Sequence, residues 1–217
     1  MKIGILGTGM VGHALGTRMV KLGNEVRMGS RTAGNEKAMA WAAANGPDAS
    51  AGTFADAAAF GEIIFNCTSG LMSLEALKLA GADHLKGKIL VDVANPLDYS
   101  GGMPPSLGIS NTDSLGERIQ KAFPDARVVK TLNTVNCNVM VNPILAGGES
   151  DMFISGNDEE AKQQVVKILT KWFGWKSVID LGDITGARSQ EMMMPIWIRL
   201  MIVNGTPNFG FRIIRGQ

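Results

Sequence analysis

The stretch Lys2-Ile3-Gly4-Ile5-Leu6-Gly7-Thr8-Gly9-Met10-Val11-Gly12 decides the fold. Its first half is an apolar run of strand length. Its second half is a Gly-x-Gly-x-x-Gly pattern that opens directly into the helical periodicity of Val11–Leu22. Three glycines alone are a weak signal, but between a buried strand and a helix they have the context of a dinucleotide turn. Gly7 permits the tight turn, Gly9 lets a pyrophosphate approach the backbone, and Gly12 lets the helix pack close to the sheet. The first helical turn, with Met10 and Val11, then offers free N–H groups and a positive dipole end to phosphate.

Outward from this unit, apolar runs alternate with helical patterns. Strands are predicted at Lys2–Leu6, Glu25–Gly29, Ile63–Cys67, Ile89–Val93, Val128–Thr131, Met152–Ser155 and Ser177–Leu181, with a short one near Ala49–Gly52. Helices are predicted at Val11–Leu22, Asn35–Ala44, Thr53–Phe60, Ser73–Ala80, Leu115–Phe123, Asp158–Phe173 and Ala187–Val203, the last bent at Pro195. Thr53 with Asp56 and Ser114 with Glu117 have capping-box spacing. Gly23 and Gly174 stand where helices end. The alternation predicts an α/β protein: a Rossmann-type, doubly wound, mostly parallel sheet with a short C-terminal helical extension. The division expected is 1–181 for the nucleotide-binding domain and 182–217 for a helix and tail packing over the cleft. Leu97–Asp113, rich in Gly, Pro and Ser, reads as a long irregular loop.

The end of the second strand reads the nucleotide. A site for NAD wants Asp or Glu there, to bond the adenosine ribose. This chain has Met28-Gly29-Ser30-Arg31. A small residue, a hydroxyl and a guanidinium suit a 2′-phosphate, which Arg31 can hold in a planar fork. At about 1.5–3 kcal/mol per charge-assisted hydrogen bond, one or two such bonds favour NADP over NAD by roughly ten- to a thousandfold. Thr8 can add a hydroxyl contact, and Lys37, about one helical turn further on, can approach the phosphate. The bland reading of the same residues is that Ser30 caps a turn and Arg31 is solvated.

Ligands of open α/β sheets sit at the carboxyl ends of strands. There the sequence places Cys67-Thr68-Ser69, Asn95-Pro96 and the segment from Thr131 through Asn133 to Cys137. Cys67 reads first as a small buried residue at a strand end. No carboxylate pair, Ser–His–Asp set or metal cluster is evident, so neither a catalytic residue nor a metal ligand is assigned. His13 and His84 are the only histidines, and Cys67 and Cys137 the only cysteines.

With 217 residues, 45% hydrophobic and 19% charged, the chain can bury a full core and is not a disordered protein. A net charge of +1 argues against nucleic-acid binding, which needs a basic face. No apolar run has the length of a membrane span. A glycine-broken N-terminal stretch is not a signal peptide, so a cytoplasmic location is expected.

Those residues also carry a resemblance. The chain resembles the NADPH-dependent reductases of the deazaflavin coenzyme F420, and it is similar to the cytosolic reductase domain of the Steap metalloreductases. The resemblance rests on Ile3–Gly12, Glu25–Arg31, Gly87–Pro96, Phe123–Val135, Ser155–Trp172 and Asp180–Pro195. It implies that Thr8–Val11, Ser30 and Arg31 hold the phosphates of NADP. It implies that Thr68, Ser69, Asn95, Asn133 and Cys137 lie near the nicotinamide half, and that Phe209 packs against the cofactor from a tail folded back over it. Asn133 stands where the F420 reductases often carry His and the metalloreductases Asn. Lys37 is displaced by two residues from the family's phosphate-binding Lys.

The activity implied is hydride transfer between NADP(H) and F420 or a flavin. Such transfer needs alignment of two rings more than acid–base help. The alternatives are a non-catalytic NADP-binding sensor or a small-molecule carbonyl or imine reductase. The sole tyrosine, Tyr99, has no Tyr-x-x-x-Lys partner for a carbonyl reductase. The partners expected are a small-molecule or cofactor substrate and a second copy of the chain, a homodimer covering the apolar tail.

Overall fold

The structure is a computed structural model, and it describes residues 1–216; Gln217, the end of the expected C-terminal extension, lies outside them. Ten strands are described: β1 Lys2–Leu6, β2 Glu25–Ser30, β3 Ala49–Thr53, β4 Ile63–Asn66, β5 Ile89–Asp92, β6 Leu97–Asp98, β7 Ser106–Leu107, β8 Arg127–Thr131, β9 Asp151–Gly156 and β10 Ser177–Asp180. The α-helices are α1 Met10–Lys21, α2 Glu36–Asn45, α3 Phe54–Phe60, α4 Ser73–Ala80, α5 Ala82–Leu85, α6 Leu115–Ala122, α7 Cys137–Val141, α8 Glu159–Lys167, α9 Ala187–Met192 and α10 Met194–Asn204.

Eight strands form one sheet in the order β10-β9-β8-β5-β4-β1-β2-β3. The six from β3 to β8 are mutually parallel, with Ile5 opposite both Met28 and Phe65. β9 runs antiparallel to β8, and β10 parallel to β9. Helices cover both faces, as a central parallel sheet requires, and residues of period two sort between them. Ile3, Ile5, Ile63, Phe65 and Val91 join the core that includes Leu15, Met19 and Trp41 of α1 and α2. Ile64, Leu90 and Val128 join the core that includes Phe54, Leu77 and Ile119 of α3, α4 and α6. The approach of α1 depends on glycine: a Cβ at Gly16 would lie 2.7 Å from the Trp41 ring, and one at Gly12 would overlap the Gly7 carbonyl.

The predicted caps form. Thr53 and Asp56 make a capping box, and Ser114 Oγ accepts the Glu117 N–H. Gly174 ends its helix in the left-handed region at φ 90°. Two long helices prove compound. The 158–173 segment is α8 followed by a wider π-helical turn, Ile168–Phe173. The 187–203 segment is divided at Met193, with Pro195 in the first turn of α10. Proline there has no N–H to continue the ladder from α9. The Leu97–Asp113 loop contains the small antiparallel pair β6–β7. Helices α5 and α7, of four and five residues, were not expected; they are too short for a periodic signal.

Ile184 and Ala187 still belong to the core that includes Phe54, Leu77 and Ile119. From Met194 onward the chain builds its own small cluster, in which Met194, Trp197 and Ile198 pack with Leu97, Leu107, Met201, Phe209 and Phe211. No helix among the described residues is long and apolar enough to cross a membrane.

Candidate functional site

The carboxyl ends of β2, β1, β4, β5 and β8 lie side by side, and the predicted residues fall along them in that order. Four strand spacings make this row about 19 Å long, room for an extended dinucleotide.

At the centre is the glycine turn. Gly7 has φ 120°, and a Cβ there would lie 2.6 Å from the Cys67 carbonyl oxygen, so only glycine seats the loop against the end of β4. Gly9, the N-cap residue of α1, has the opposite surroundings: a Cβ there would meet nothing within 4 Å. α2, α3, α6 and α8 each receive a side-chain cap, from Asn35, Thr53, Ser114 and Asp158. α1 receives none, and no acidic residue stands in its first turn. Its first N–H groups and dipole are left for an external anion. Met10 is exposed and Val11 half-buried at this turn. Thr8 is half-buried between the two glycines.

At the end of β2, Ser30 is buried and its hydroxyl donates to the Thr32 carbonyl at 2.6 Å. Ser30 thus shapes the turn, while Arg31 is exposed and makes no ion pair or hydrogen bond among the described residues. Lys37 is exposed in the first turn of α2. The open glycine loop and the free guanidinium beside it fit a dinucleotide carrying a 2′-phosphate.

Beyond the glycine turn, the residues at the β4 end divide. Cys67 is buried in the main core, and burial first, then the Asp92 charge, pushes its thiol far above the ordinary range. It is inert packing rather than a nucleophile. Thr68 Oγ1 donates to Asn66 Oδ1 at 2.7 Å and lies 2.8 Å from Ser73 Oγ. Ser69 is exposed. Gly70 lies so close to Asn95 and Pro96 that a Cβ would overlap the Asn95 carbonyl. Pro96 is buried, and its carbonyl accepts the Gly108 N–H at 2.8 Å, which holds the hairpin loop.

Asn95 and Asn133 pair across β5 and β8: Asn95 Nδ2 donates to the Asn133 carbonyl at 2.8 Å, and Asn133 Nδ2 donates to Asn95 Oδ1 at 2.9 Å. Asn95 is half-buried, whereas Asn133 is 1% exposed. Leu132 before it has φ 64°, a strained conformation for a branched residue, and this turns the chain sharply at the strand end. Cys137 is buried at the start of α7, and burial raises its thiol too. A groove of about 680 Å³ runs from Met10 and His13 of α1 to Cys137 and Asn138 of α7. A second cavity of about 740 Å³, near Trp175 and Ile213, contains none of the predicted residues.

Phe209 lies in the small C-terminal cluster. Its ring stacks on Trp197 with centroids 5.4 Å apart, and Phe211 meets it edge-on at 6.4 Å.

A buried polar network behind the row was not anticipated. Lys130 Nζ lies 2.8 Å from Asp92 Oδ2 and 2.9 Å from Glu191 Oε1, all three side chains being almost wholly buried. Glu191 also accepts the N–H groups of Leu115 at 2.8 Å and Gly116 at 3.1 Å, capping α6 from a distant helix. Asp92 Oδ1 accepts Asn66 Nδ2 at 2.8 Å. Burial opposes the charge on Lys130, yet Asp92 and Glu191 outweigh it and hold its pKa above the ordinary lysine value. The signal was present in the sequence: Asp92 and Lys130 are charged residues inside otherwise apolar strands, and such charges are paired when buried. No group of three or more His, Cys, Asp or Glu able to hold a metal occurs among the described residues.

Residues 2–96 match the family described as NADP oxidoreductase, coenzyme F420-dependent. The chain is 30% identical to the F420-dependent NADP reductase of Methanocaldococcus jannaschii over 222 aligned positions, which cover 98% of each protein. The chain belongs to this family of F420-dependent NADP reductases. It is also 31% identical over 207 positions to the metalloreductase STEAP3 of Rattus norvegicus, covering 90% of this chain and 38% of that protein. A crystal structure from Arthrobacter sp. FB24, assigned provisionally to the F420-dependent NADP reductases, superposes with a TM-score of 0.93 at 50% identity, covering 99% of this chain and all of that one. The family resemblance read from the sequence therefore stands, and so does the Rossmann-type fold.

Proposed function

We propose that the chain transfers a hydride between the nicotinamide of NADP(H) and the deazaflavin ring of coenzyme F420. One observation carries the NADP assignment: the uncapped glycine turn of α1 lies next to a strand end that offers Arg31 instead of an acid. Arg31 binds the 2′-phosphate, Gly9 and the first turn of α1 take the pyrophosphate, and Asn95 with Ser69 stands at the nicotinamide end. Lys37 adds charge near the 2′-phosphate. Phe209, with Trp197, closes the cleft from the C-terminal segment.

The bound nicotinamide and deazaflavin supply the redox chemistry: NADPH, F420 and one proton give NADP⁺ and reduced F420. This chain orients the rings and keeps water out. The residues named at the nicotinamide end carry amides and hydroxyls, and both nearby thiols are held protonated by burial. That composition suits direct hydride transfer better than carbonyl reduction, which needs a proton donor at the substrate oxygen.

The free thiols suit a reducing compartment, so a cytoplasmic enzyme is proposed. A homodimer is proposed from the exposed apolar side chains Ile144, Ile213 and Ile214.

The test is anaerobic NADPH oxidation with F420, FMN and FAD in parallel. Bleaching of F420 alone supports the reading. Turnover with free flavins and not F420, or tight NADPH binding without any turnover, rejects it.

A further inference from the structure

Gln190, in α9, is wholly buried, and both polar atoms of its side chain are engaged. Its Oε1 accepts the Ser155 hydroxyl at 2.6 Å. Its Nε2 donates to the carbonyls of Lys130 and Phe153, each at 3.2 Å. One side chain thus ties α9 to both β8 and β9, where the sheet changes from parallel to antiparallel.

The backbone of the same residue reaches the strand-end row. The Gln190 carbonyl accepts Asn133 Nδ2 at 3.1 Å, and the other hydrogen of that amide serves Asn95 Oδ1. Both Asn133 donors are therefore committed, and its Oδ1 has only Gln190 Nε2 nearby, at 3.5 Å. Asn133 is itself 1% exposed, so within this pair it is Asn95 that has surface to offer a ligand. Asn95 is held on both sides: its Oδ1 by Asn133 Nδ2, and its Nδ2 by the Asn133 carbonyl. Leu132, with φ 64°, immediately precedes Asn133 at this turn.

We infer that Gln190 is a positioning residue for hydride transfer: through Asn133 it fixes the amide of Asn95 at the nicotinamide end of the cleft. The inference rests on the proposed NADP reading of that cleft. Gln190 bonds Asn133 and not Asn95, so it acts on Asn95 through Asn133. Its place four residues before Met194 also joins the geometry of the row to the helix that carries Trp197 and the tail.

The test uses Gln190→Met, which keeps the volume and removes the polar atoms, and Ser155→Ala, which removes one bond to Gln190 and leaves the rest. In single turnover with saturating NADPH and F420, Gln190→Met is expected to transfer hydride at least tenfold more slowly, and Ser155→Ala at least twofold. Affinity for 2′,5′-ADP, which reports the Arg31 end alone, should stay within twofold of wild type in both. In cofactor-free protein the side-chain amide protons of Asn95 and Asn133, followed by ¹⁵N NMR, should exchange with solvent faster in both variants.

Unchanged hydride transfer in a folded Gln190→Met protein overturns the inference, as does an equal loss of 2′,5′-ADP affinity, which marks a general defect. Should Gln190→Met not fold, Ser155→Ala decides by the same readings. Wild-type protein that fails to reduce F420 would reject the proposed function, while the amide exchange would still decide whether Gln190 holds the pair.

Discussion

Lys130 and Glu191 meet inside the protein with Nζ 2.9 Å from Oε1 and side chains 0% and 2% exposed. The pair joins a central strand to α9, and through the Leu115 and Gly116 N–H groups it also anchors α6. Removing Glu191 leaves Lys130 paired with Asp92 alone and strips two buried helix N–H groups of their acceptor. Glu191→Ala should therefore cost about 2–5 kcal/mol, from two buried donors left without an acceptor, read as a lower urea midpoint with unchanged slope. For a chain of this size that is a fall in Tm of roughly 10 °C. A loss under about 1 kcal/mol would mean the pair carries little of the fold.

Arg31 has no partner among the described residues, so its removal should spare stability. Arg31→Ala should weaken NADPH binding by roughly ten- to a hundredfold, the worth of one charge-assisted hydrogen bond, and leave NADH binding nearly unchanged. Calorimetric titration with the two nucleotides separates these. Equal losses would remove the 2′-phosphate from the end of β2.

Two glycines of the same motif should fail differently. A Cβ at Gly9 enters open space, whereas one at Gly12 collides with the Gly7 carbonyl. Gly9→Val should fold with near-normal Tm and bind neither NADPH nor NADH. Gly12→Val should lose stability, by more than about 2 kcal/mol. Retained nucleotide affinity in Gly9→Val would move the pyrophosphate away from this turn.

Glu117 gives a pH signature. The hydrogen bond from Arg188, its Nε 2.8 Å from Oε2, holds the Glu117 carboxyl below its ordinary value; burial opposes this and Ser114 adds to it. Because the folded pKa lies below the unfolded one, the stabilisation is present above about pH 4.3 and disappears as pH falls through the folded value. Wild type should exceed Glu117→Gln by about 1 kcal/mol at pH 7, and the gap should narrow as pH falls below about 4. A gap independent of pH between 7 and 3 would contradict the assignment.

The parallel sheet was legible because each strand is a short apolar run and each crossover helix has a periodic face or a cap; Thr53–Asp56 and Gly174 marked boundaries that the structure keeps. The glycine turn was legible because its motif states a steric requirement. What the sequence did not disclose is pairing at a distance. Glu191 caps a helix 75 residues earlier in the chain, measured from Gly116, and the Gln190 side chain serves three groups of β8 and β9; no local period encodes either. Asn133 was read as a ligand contact from its place at a strand end; that its amide bonds Asn95 and the Gln190 carbonyl is a pairing only packing shows. Short pieces such as α7 and β6–β7 owe their form to tertiary contact, not propensity.

The central claim is direct hydride transfer from NADPH to F420, and the most direct measurement follows the atom itself. NADPH deuterated at the transferred position of C4 is mixed with F420 and the enzyme without oxygen, and the reduced deazaflavin is examined by mass spectrometry and NMR. The account predicts one deuterium on the central ring carbon of reduced F420, with none lost to water. Unlabelled reduced F420, or no reduction at all by protein that binds NADPH, would contradict it.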